Sequence, residues 1–163
     1  MRPSIDDTDL RILDLLQRDA SLTAAQVAEK VGLSQSPCWR RIDRLERQGY
    51  IRRRVALLDR KRLGLGVMVF VHVKLSRGAR GSLTQFEAAM RGVPEVQECH
   101  MLMGETDFLV KVVTSDVGAY ETFLREKLAR IPAVRDVRSS MALTPVKEVT
   151  ELPLGLVAED DVA

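Results

Sequence analysis

Ser34, Gln35 and Ser36 open a run that carries arginine at 40, 44 and 47, with three more at Arg52, Arg53 and Arg54. The amide of Gln can pair with adenine through two hydrogen bonds, and Ser hydroxyls tolerate several bases. Arginines beside them would neutralise backbone phosphate. On a helix, Ser36, Arg40, Arg44 and Arg47 share one face at 3.6-residue spacing, and Cys38, Ile42 and Leu45 share the opposite one. A helix with a polar tip, a basic flank and an apolar back is the kind of surface that enters a major groove. The competing reading is a solvated helix whose arginines pair with Asp43 and Glu46. Trp39, the single Trp, leaves two readings open: rim packing beside Ile42, which its size favours, and DNA contact. Cys38 lies on the inward face and reads as a small core residue.

Such a helix needs a second helix across its back, and the sequence supplies the signals. Asp6 is a helix N-cap with Asp9 in the first turn, and Ile12, Leu13 and Leu16 make an apolar stripe. Thr23 caps a short second helix with Ala24, Val27, Ala28 and Val31 on one face. Gly32 stops it, as a residue without Cβ does at a C-cap. Ser34 caps the third helix, Pro37 sits in its first turn, and Gly49 ends it. Tyr50 to Leu58 reads as a short strand pair or wing, and Asp59 to Leu65 as a linker. The motif spans about 24–43 within a winged helix-turn-helix domain over 1–64.

Beyond residue 64 the periodicity changes. Strands are expected over 66–75, 96–103, 108–113 and 134–143. Helices are expected over 81–92, with Leu83, Phe86, Ala89 and Met90 apolar, and from Asp116 to Ile131. The order β-α-β-β-α-β is the split βαβ, ferredoxin-like pattern. The fold class is therefore α+β, with the second domain over 65–153. Val67 to Leu75 reads as apolar on both alternating sets, as in a strand covered on both faces. Residues 154–163, with Glu159, Asp160 and Asp161, read as a disordered tail.

Charge follows the same division. The chain has a net charge of only +2, but residues 30–62 carry 11 Lys/Arg against 3 Asp/Glu. One basic third in a near-neutral chain suggests a polyanionic partner, here double-stranded DNA. No apolar run suggests a membrane span, no secretory leader precedes the first helix, and Cys38 and Cys99 form no disulfide framework. A cytoplasmic protein is expected. His72 and His100 are the only histidines, and neither has the spacing of a metal site. Cys99 and His100 alternate on one strand and cannot share an ion. No catalytic residue, metal or cofactor is called for.

The runs Gly32-Leu33-Ser34-Gln35-Ser36-Pro37-Cys38-Trp39-Arg40-Arg41-Ile42 and Arg44-Leu45-Glu46-Arg47-Gln48-Gly49-Tyr50-Ile51 resemble the Lrp/AsnC, or feast/famine, regulators. The resemblance continues through Val55–Asp59, Val96–His100 and Gly104–Phe108, and covers about residues 5–153. It implies a transcriptional regulator with a winged helix-turn-helix and a βαββαβ ligand-sensing domain. It also implies homodimers, often assembled into octamers, and a small amino-acid effector that alters oligomer state or DNA affinity. Two alternatives remain beside it: an effector-independent architectural DNA-binding protein, and an enzyme resembling the sirohaem decarboxylases of the same architecture.

The resemblance places the effector between dimers near Gly104–Asp107, where many members have Gly-Asp-aromatic-Asp and this chain has Glu105 and Thr106. A zwitterion needs an acceptor for its ammonium, donors for its carboxylate and room for its side chain. Asp107 is the expected acceptor, and the N–H groups of Glu105 and Thr106 the expected donors beside Gly104. Ser139 and Ser140 would add hydroxyls, and Met103 and Val117 would line the pocket. A medium-sized apolar or sulfur-containing side chain is expected, because the turn itself has no Lys or Arg. Without the resemblance, an ordinary hairpin turn would explain the same residues.

Overall fold

The computed structural model describes residues 5–76 and 82–157. They form two compact units, one of residues 5–57 with 147–157 and the other Leu58–Val146.

The first unit is built on three helices, α1 (Asp7–Arg18), α2 (Ala24–Val31) and α3 (Gln35–Arg47). A reciprocal capping box starts α1: the Asp9 N–H donates to the Asp6 carboxylate at 2.8 Å, and the Asp6 N–H to that of Asp9 at 3.2 Å. Thr23 and Gln26 form the same box at α2. Each box satisfies two N–H groups that the helix leaves without partners. Gly32, at φ +75°, reverses the chain so that the Leu33 N–H reaches the Ala28 carbonyl at 2.9 Å. Ser34 occupies the N-cap position of α3, but its hydroxyl makes no capping bond. Ile12, Leu16, Val27, Ala28, Val31, Cys38, Ile42 and Leu45 meet in one core. Burial pushes the Cys38 thiol up, against the lowering charge of Arg41, which keeps it protonated and unreactive.

Two expectations for this unit are corrected. Residues 52–58 form no β-ladder; the segment is extended, and Arg54 ties it down by donating to the Ala20 carbonyl at 3.3 Å and to Glu46 at 3.0 Å. The C-terminal segment also returns to this unit rather than ending with the second domain at 153. Gln17 of α1 donates to the Leu152 carbonyl at 3.1 Å and accepts from the Leu152 N–H at 2.9 Å. Leu154–Leu156 make a 3-10 turn, and Val157 packs against the three-helix core. The disorder expected from residue 154 is therefore absent over 154–157, where the Leu156 N–H donates to the Pro153 carbonyl at 2.9 Å and the partly buried Val157 rests on the core. Glu159, Asp160 and Asp161 lie outside the described residues.

The second unit begins with an organised turn where a linker was expected. Asp59 accepts from the N–H groups of Lys61 and Arg62 at 2.9 and 3.1 Å, and Arg60 donates to the carbonyls of Leu65 and Gly66. There follow β1 (Val67–Leu75), α4 (Ser82–Arg91), β2 (Val96–Met101), β3 (Phe108–Thr114), α5 (Val117–Phe123) and β4 (Val134–Met141). A π-helical turn, Leu124–Leu128, continues α5, with the Ala129 N–H donating to the Leu124 carbonyl at 2.8 Å. The sheet order is β2-β3-β1-β4, antiparallel throughout, which is the split βαβ arrangement.

One face of the sheet is the core. Val69, Val71, Val73, Phe108, Val110 and Val112 pack there with Phe86, Met90, Tyr120, Phe123 and Leu128 from the helices. Of the apolar residues read on α4, Phe86 and Met90 are buried and Leu83 is exposed. The other alternating set of β1 is not uniformly apolar. Met68 is buried, but Phe70, His72 and Lys74 are half-buried, so this face is mixed in character.

Candidate nucleic-acid interface and effector site

The tip of α3 is open. Ser34, Gln35, Ser36 and Arg40 are exposed, and so is Trp39, at 56%. Trp39 therefore does not pack at the rim beside Ile42, which is itself buried in the core of the unit. Trp39 and Arg40 instead stand on the outer surface of the helix with the polar tip.

The arginines divide into two sets. Arg44 donates to Asp9, and Arg41 donates to Asp9 at 2.9 Å and to Asp6 at 2.6 Å. These contacts fasten α3 to the start of α1. Burial raises the Asp6 carboxyl, but the Arg41 hydrogen bond and charge and the Asp9 N–H outweigh it and hold the group below its ordinary value. Arg47 pairs with Asp43 at 2.6 Å, and Arg54 with Glu46 at 3.0 Å. The solvated-helix reading thus describes Arg47 and Arg54. Arg40, Arg52 and Arg53 are exposed and have no hydrogen-bond or ion-pair partner among the described residues. Arg41, not picked out from the sequence, anchors the helix. Its signal was the acidic pair Asp6 and Asp9, whose distance in sequence hid the contact.

In the second unit, the turn between β2 and β3 is fixed by Asp107. Its N–H donates to the Val73 carbonyl at 2.9 Å, and its carboxylate accepts from the Leu75 N–H at 2.6 Å. One oxygen of the expected ammonium acceptor thus already holds a strand end. Gly104 turns the chain at φ +153°. Glu105 and Thr106 line a hollow of about 410 Å³ together with Lys74, Arg135, Asp136 and Arg138.

The other expected effector residues do not join them. Ser139 lies opposite Val71, and its hydroxyl is bonded to the phenol of Tyr120 on the helix side of the sheet. Ser140 lies opposite Phe70 on the other side. Neighbours in a strand point to opposite faces, so the two hydroxyls cannot meet one ligand. Met103 and Val117 are exposed and do not line the hollow. The cations missing from the turn are supplied by β1 and by the start of β4, which adjacency in the sheet, not in sequence, brings to Glu105 and Thr106.

His100 is exposed and pairs with Glu98 at 3.1 Å. The hydrogen bond from Lys111, then that from His100, holds Glu98 below the usual carboxylate range. No helix among the described residues is long and apolar enough to cross a membrane.

Comparison with known proteins decides what these two units are. Residues 68–152 match the family described as the Lrp/AsnC ligand binding domain, and residues 5–52 match winged helix-turn-helix DNA-binding. The chain belongs to the Lrp/AsnC family. The Leucine-responsive regulatory protein of Salmonella typhimurium is 40% identical over 148 residues, covering 91% of this chain and 90% of that one. The protein of the same name from Escherichia coli K12 is 39% identical over the same length. A transcriptional regulator of Neisseria meningitidis, solved as a complex with L-Met, superposes with a TM-score of 0.91 at 36% identity. That superposition covers 95% of this chain and all of the other. An AsnC family regulator from Agrobacterium tumefaciens gives a TM-score of 0.89 at 42% identity, covering 94% of this chain and all of the other. This Lrp/AsnC protein is thus a DNA-binding transcriptional regulator with a ligand-binding domain, and not an enzyme.

Proposed function

We propose that this regulator reads duplex DNA with the tip and outer face of α3, and that a small α-amino acid bound beside Gly104–Asp107 biases its oligomeric state or DNA affinity. The observation that carries the DNA reading is the separation of the arginines. Arg40, Arg52 and Arg53 are exposed without partners among the described residues, whereas Arg41 and Arg44 hold the helix in place. Ser34, Gln35, Ser36 and Trp39 meet base edges and thymine methyl groups, Arg40 meets a base or a phosphate, and Arg52 and Arg53 meet phosphate. Arg47 and Arg54 reach phosphate only by leaving Asp43 and Glu46.

The amino-acid reading is supported by the L-Met complex of the Neisseria relative, which shares this fold over nearly the whole chain, and by the charged hollow beside the turn. A homodimer, and octamers built from it, fit the half-buried outer set Phe70, His72 and Leu109 on the sheet face that carries no helix. A two-fold pair of α3 helices reads half-sites roughly 34–36 Å apart or a multiple of that.

The test is a duplex selected from a random library by the full-length protein, titrated against wild type and Arg40→Ala with and without each common amino acid, beside light scattering. Arg40→Ala is expected to lose ~1–3 kcal/mol if it reads a base, or to flatten the salt dependence if it meets phosphate. One amino acid is expected to change DNA affinity or particle mass. An unaltered titration with Arg40→Ala would remove this residue from the interface, and indifference to all amino acids would leave an effector-independent DNA-binding protein.

A further inference from the structure

Residues 30–62 carry 11 Lys/Arg against 3 Asp/Glu, and two of those three carboxylates, Asp43 and Glu46, stand on the DNA-reading helix itself. Helical spacing puts them on its outward side. Trp39, Asp43 and Glu46 follow at i, i+4 and i+7, and Arg40, Asp43 and Arg47 at i, i+3 and i+7. Both acids therefore continue the rows that begin with the exposed Trp39 and Arg40. A carboxylate on a surface that meets a polyanion repels it, so these two positions oppose binding.

Each acid holds an arginine. Asp43 takes Arg47 with both oxygens, from Nε at 3.1 Å and from a terminal nitrogen at 2.6 Å. This is the fork geometry in which a guanidinium also takes a phosphate. Glu46 accepts from Arg54 at 3.0 Å, and Arg54 donates to the Ala20 carbonyl at 3.3 Å. The Arg47 side chain is 75% exposed and that of Arg54 38%, so water weakens both pairs and a phosphate can displace the carboxylate. The pairs of Arg41 and Arg44 differ, because they converge on the buried Asp9 and fix the helix. Arg40, Arg52 and Arg53 are open to phosphate at once, having no partner among the described residues. Arg47 and Arg54 become open only by exchange.

We infer that Asp43 and Glu46 are intramolecular competitors of DNA phosphate, and that they set the ratio of specific to non-specific affinity. This inference rests on the DNA reading above. On a random duplex Arg47 and Arg54 stay on their carboxylates, and the two pairs bring no net charge to the encounter. On a cognate duplex the base contacts of Ser34, Gln35 and Ser36 fix the register of the helix. A phosphate is then held beside Arg47 or Arg54 and replaces the carboxylate. Specificity is a difference of two affinities, and weakening the wrong complex raises it. Attraction to the backbone is the same for every sequence, and it is this attraction that a paired acid removes.

The experiment is fluorescence-anisotropy titration of the full-length protein with two duplexes of equal length, one selected from a random library and one scrambled, from about 50 to 200 mM salt. Asp43→Asn is expected to raise affinity for the scrambled duplex about fivefold and to steepen its salt slope by about one per DNA-binding unit. The gain on the selected duplex should be smaller, so the ratio falls. Glu46→Gln is expected to act in the same direction but less, because Arg54 keeps the Ala20 carbonyl. Glu121→Gln is the control: it frees Arg125 in the second unit and changes net charge by the same amount. It should leave both titrations unchanged. On an Arg47→Ala background, Asp43→Asn should no longer steepen the slope, which separates a released arginine from relieved repulsion. The inference is wrong if Asp43→Asn leaves the scrambled duplex unaffected, gains equally on both duplexes, or keeps its gain on the Arg47→Ala background. It is also wrong if Glu121→Gln shares the gain. In each of these cases discrimination between the duplexes by wild type preserves the DNA reading. If wild type does not distinguish them, both are wrong.

Discussion

Arg44, on the flank of the DNA-reading helix, donates to the carboxylate of Asp9, a fully buried residue in the first turn of α1. Arg41 shares the same carboxylate at 2.9 Å. Asp9 also completes the capping box with Asp6. One acidic side chain therefore starts α1 and sets where α3 lies against it.

Replacing Asp9 with Ala removes the acceptor for both arginines and half of the capping box. Arg41 and Arg44 are partly exposed, at 31% and 42% of their side chains. Water can therefore take over some of their hydration, and the loss is smaller than for a fully buried pair. A destabilisation of ~1–3 kcal/mol is expected. Arg40→Ala, by contrast, is expected to stay within ~0.5 kcal/mol of wild type. Urea denaturation of the two variants beside wild type separates the anchoring arginines from those that face outward. Equal stability of all three would show that Asp9 does not set the helix.

Asp6 gives the first unit a defined acid sensitivity. Its folded pKa lies below the ordinary 3.8 because Arg41 outweighs burial. A depressed carboxyl contributes stability that is complete above its unfolded value and is lost as pH falls through the folded one. The contribution is thus expected to be constant from neutrality down to about pH 5, to start falling near about pH 4, and to be lost only as pH drops through the depressed folded value. Melting temperatures from pH 7 to pH 3 should fall more steeply at the acid end for wild type than for Asp6→Asn. Parallel curves would remove Asp6 from the acid transition.

Gln17 holds the returning C-terminal segment through both backbone groups of Leu152. Gln17→Ala leaves those groups to water, since Leu152 is exposed. The cost to global stability is expected to be small, ~0.5–1.5 kcal/mol. The local effect is larger: hydrogen exchange at Leu152 and limited proteolysis over 147–157 should both accelerate. Unchanged exchange at Leu152 would mean that the packing of Val157, not the amide pair, retains the segment.

Gly104→Ala tests the turn without touching a charge. At φ +153° the backbone favours glycine, although a Cβ there meets no atom within 4 Å. The expected penalty is conformational, on the order of 1 kcal/mol or more. It should appear as weaker amino-acid binding, because the turn carries Glu105 and Thr106 into the hollow. Thermal melting and calorimetry on the same preparation measure the two effects separately. Wild-type binding by this variant would show that the turn conformation is not what presents Glu105 and Thr106.

Much of the DNA-binding unit was legible because its signals are local. Asp6, Thr23, Gly32 and Gly49 mark helix ends through hydrogen bonds and backbone angles decided within four residues. The inward face Cys38, Ile42 and Leu45 follows from helical period alone. The same period put Arg44 on the outward stripe, yet it could not reveal that Asp9, 35 positions earlier, would claim it. Nor could it free Trp39 from the core, since whether a large aromatic is covered depends on the space its neighbours leave. The order of the second unit was readable from alternating strands and helices, because each pattern has its own repeat.

What the sequence alone determined was therefore the kind of each element and the family to which their succession belongs. Where charges meet was decided by the tertiary structure. Lys74, Glu105 and Arg135 are separated by about thirty residues each in the chain and become neighbours only because β4 pairs beside β1, with a bulge between Lys74 and Leu75, and the β2–β3 turn is pinned to Leu75. A bulge is one residue of register, set by the packing of the strands on either side. Propensity and periodicity act over a few residues; register, burial and ion pairing act across the fold.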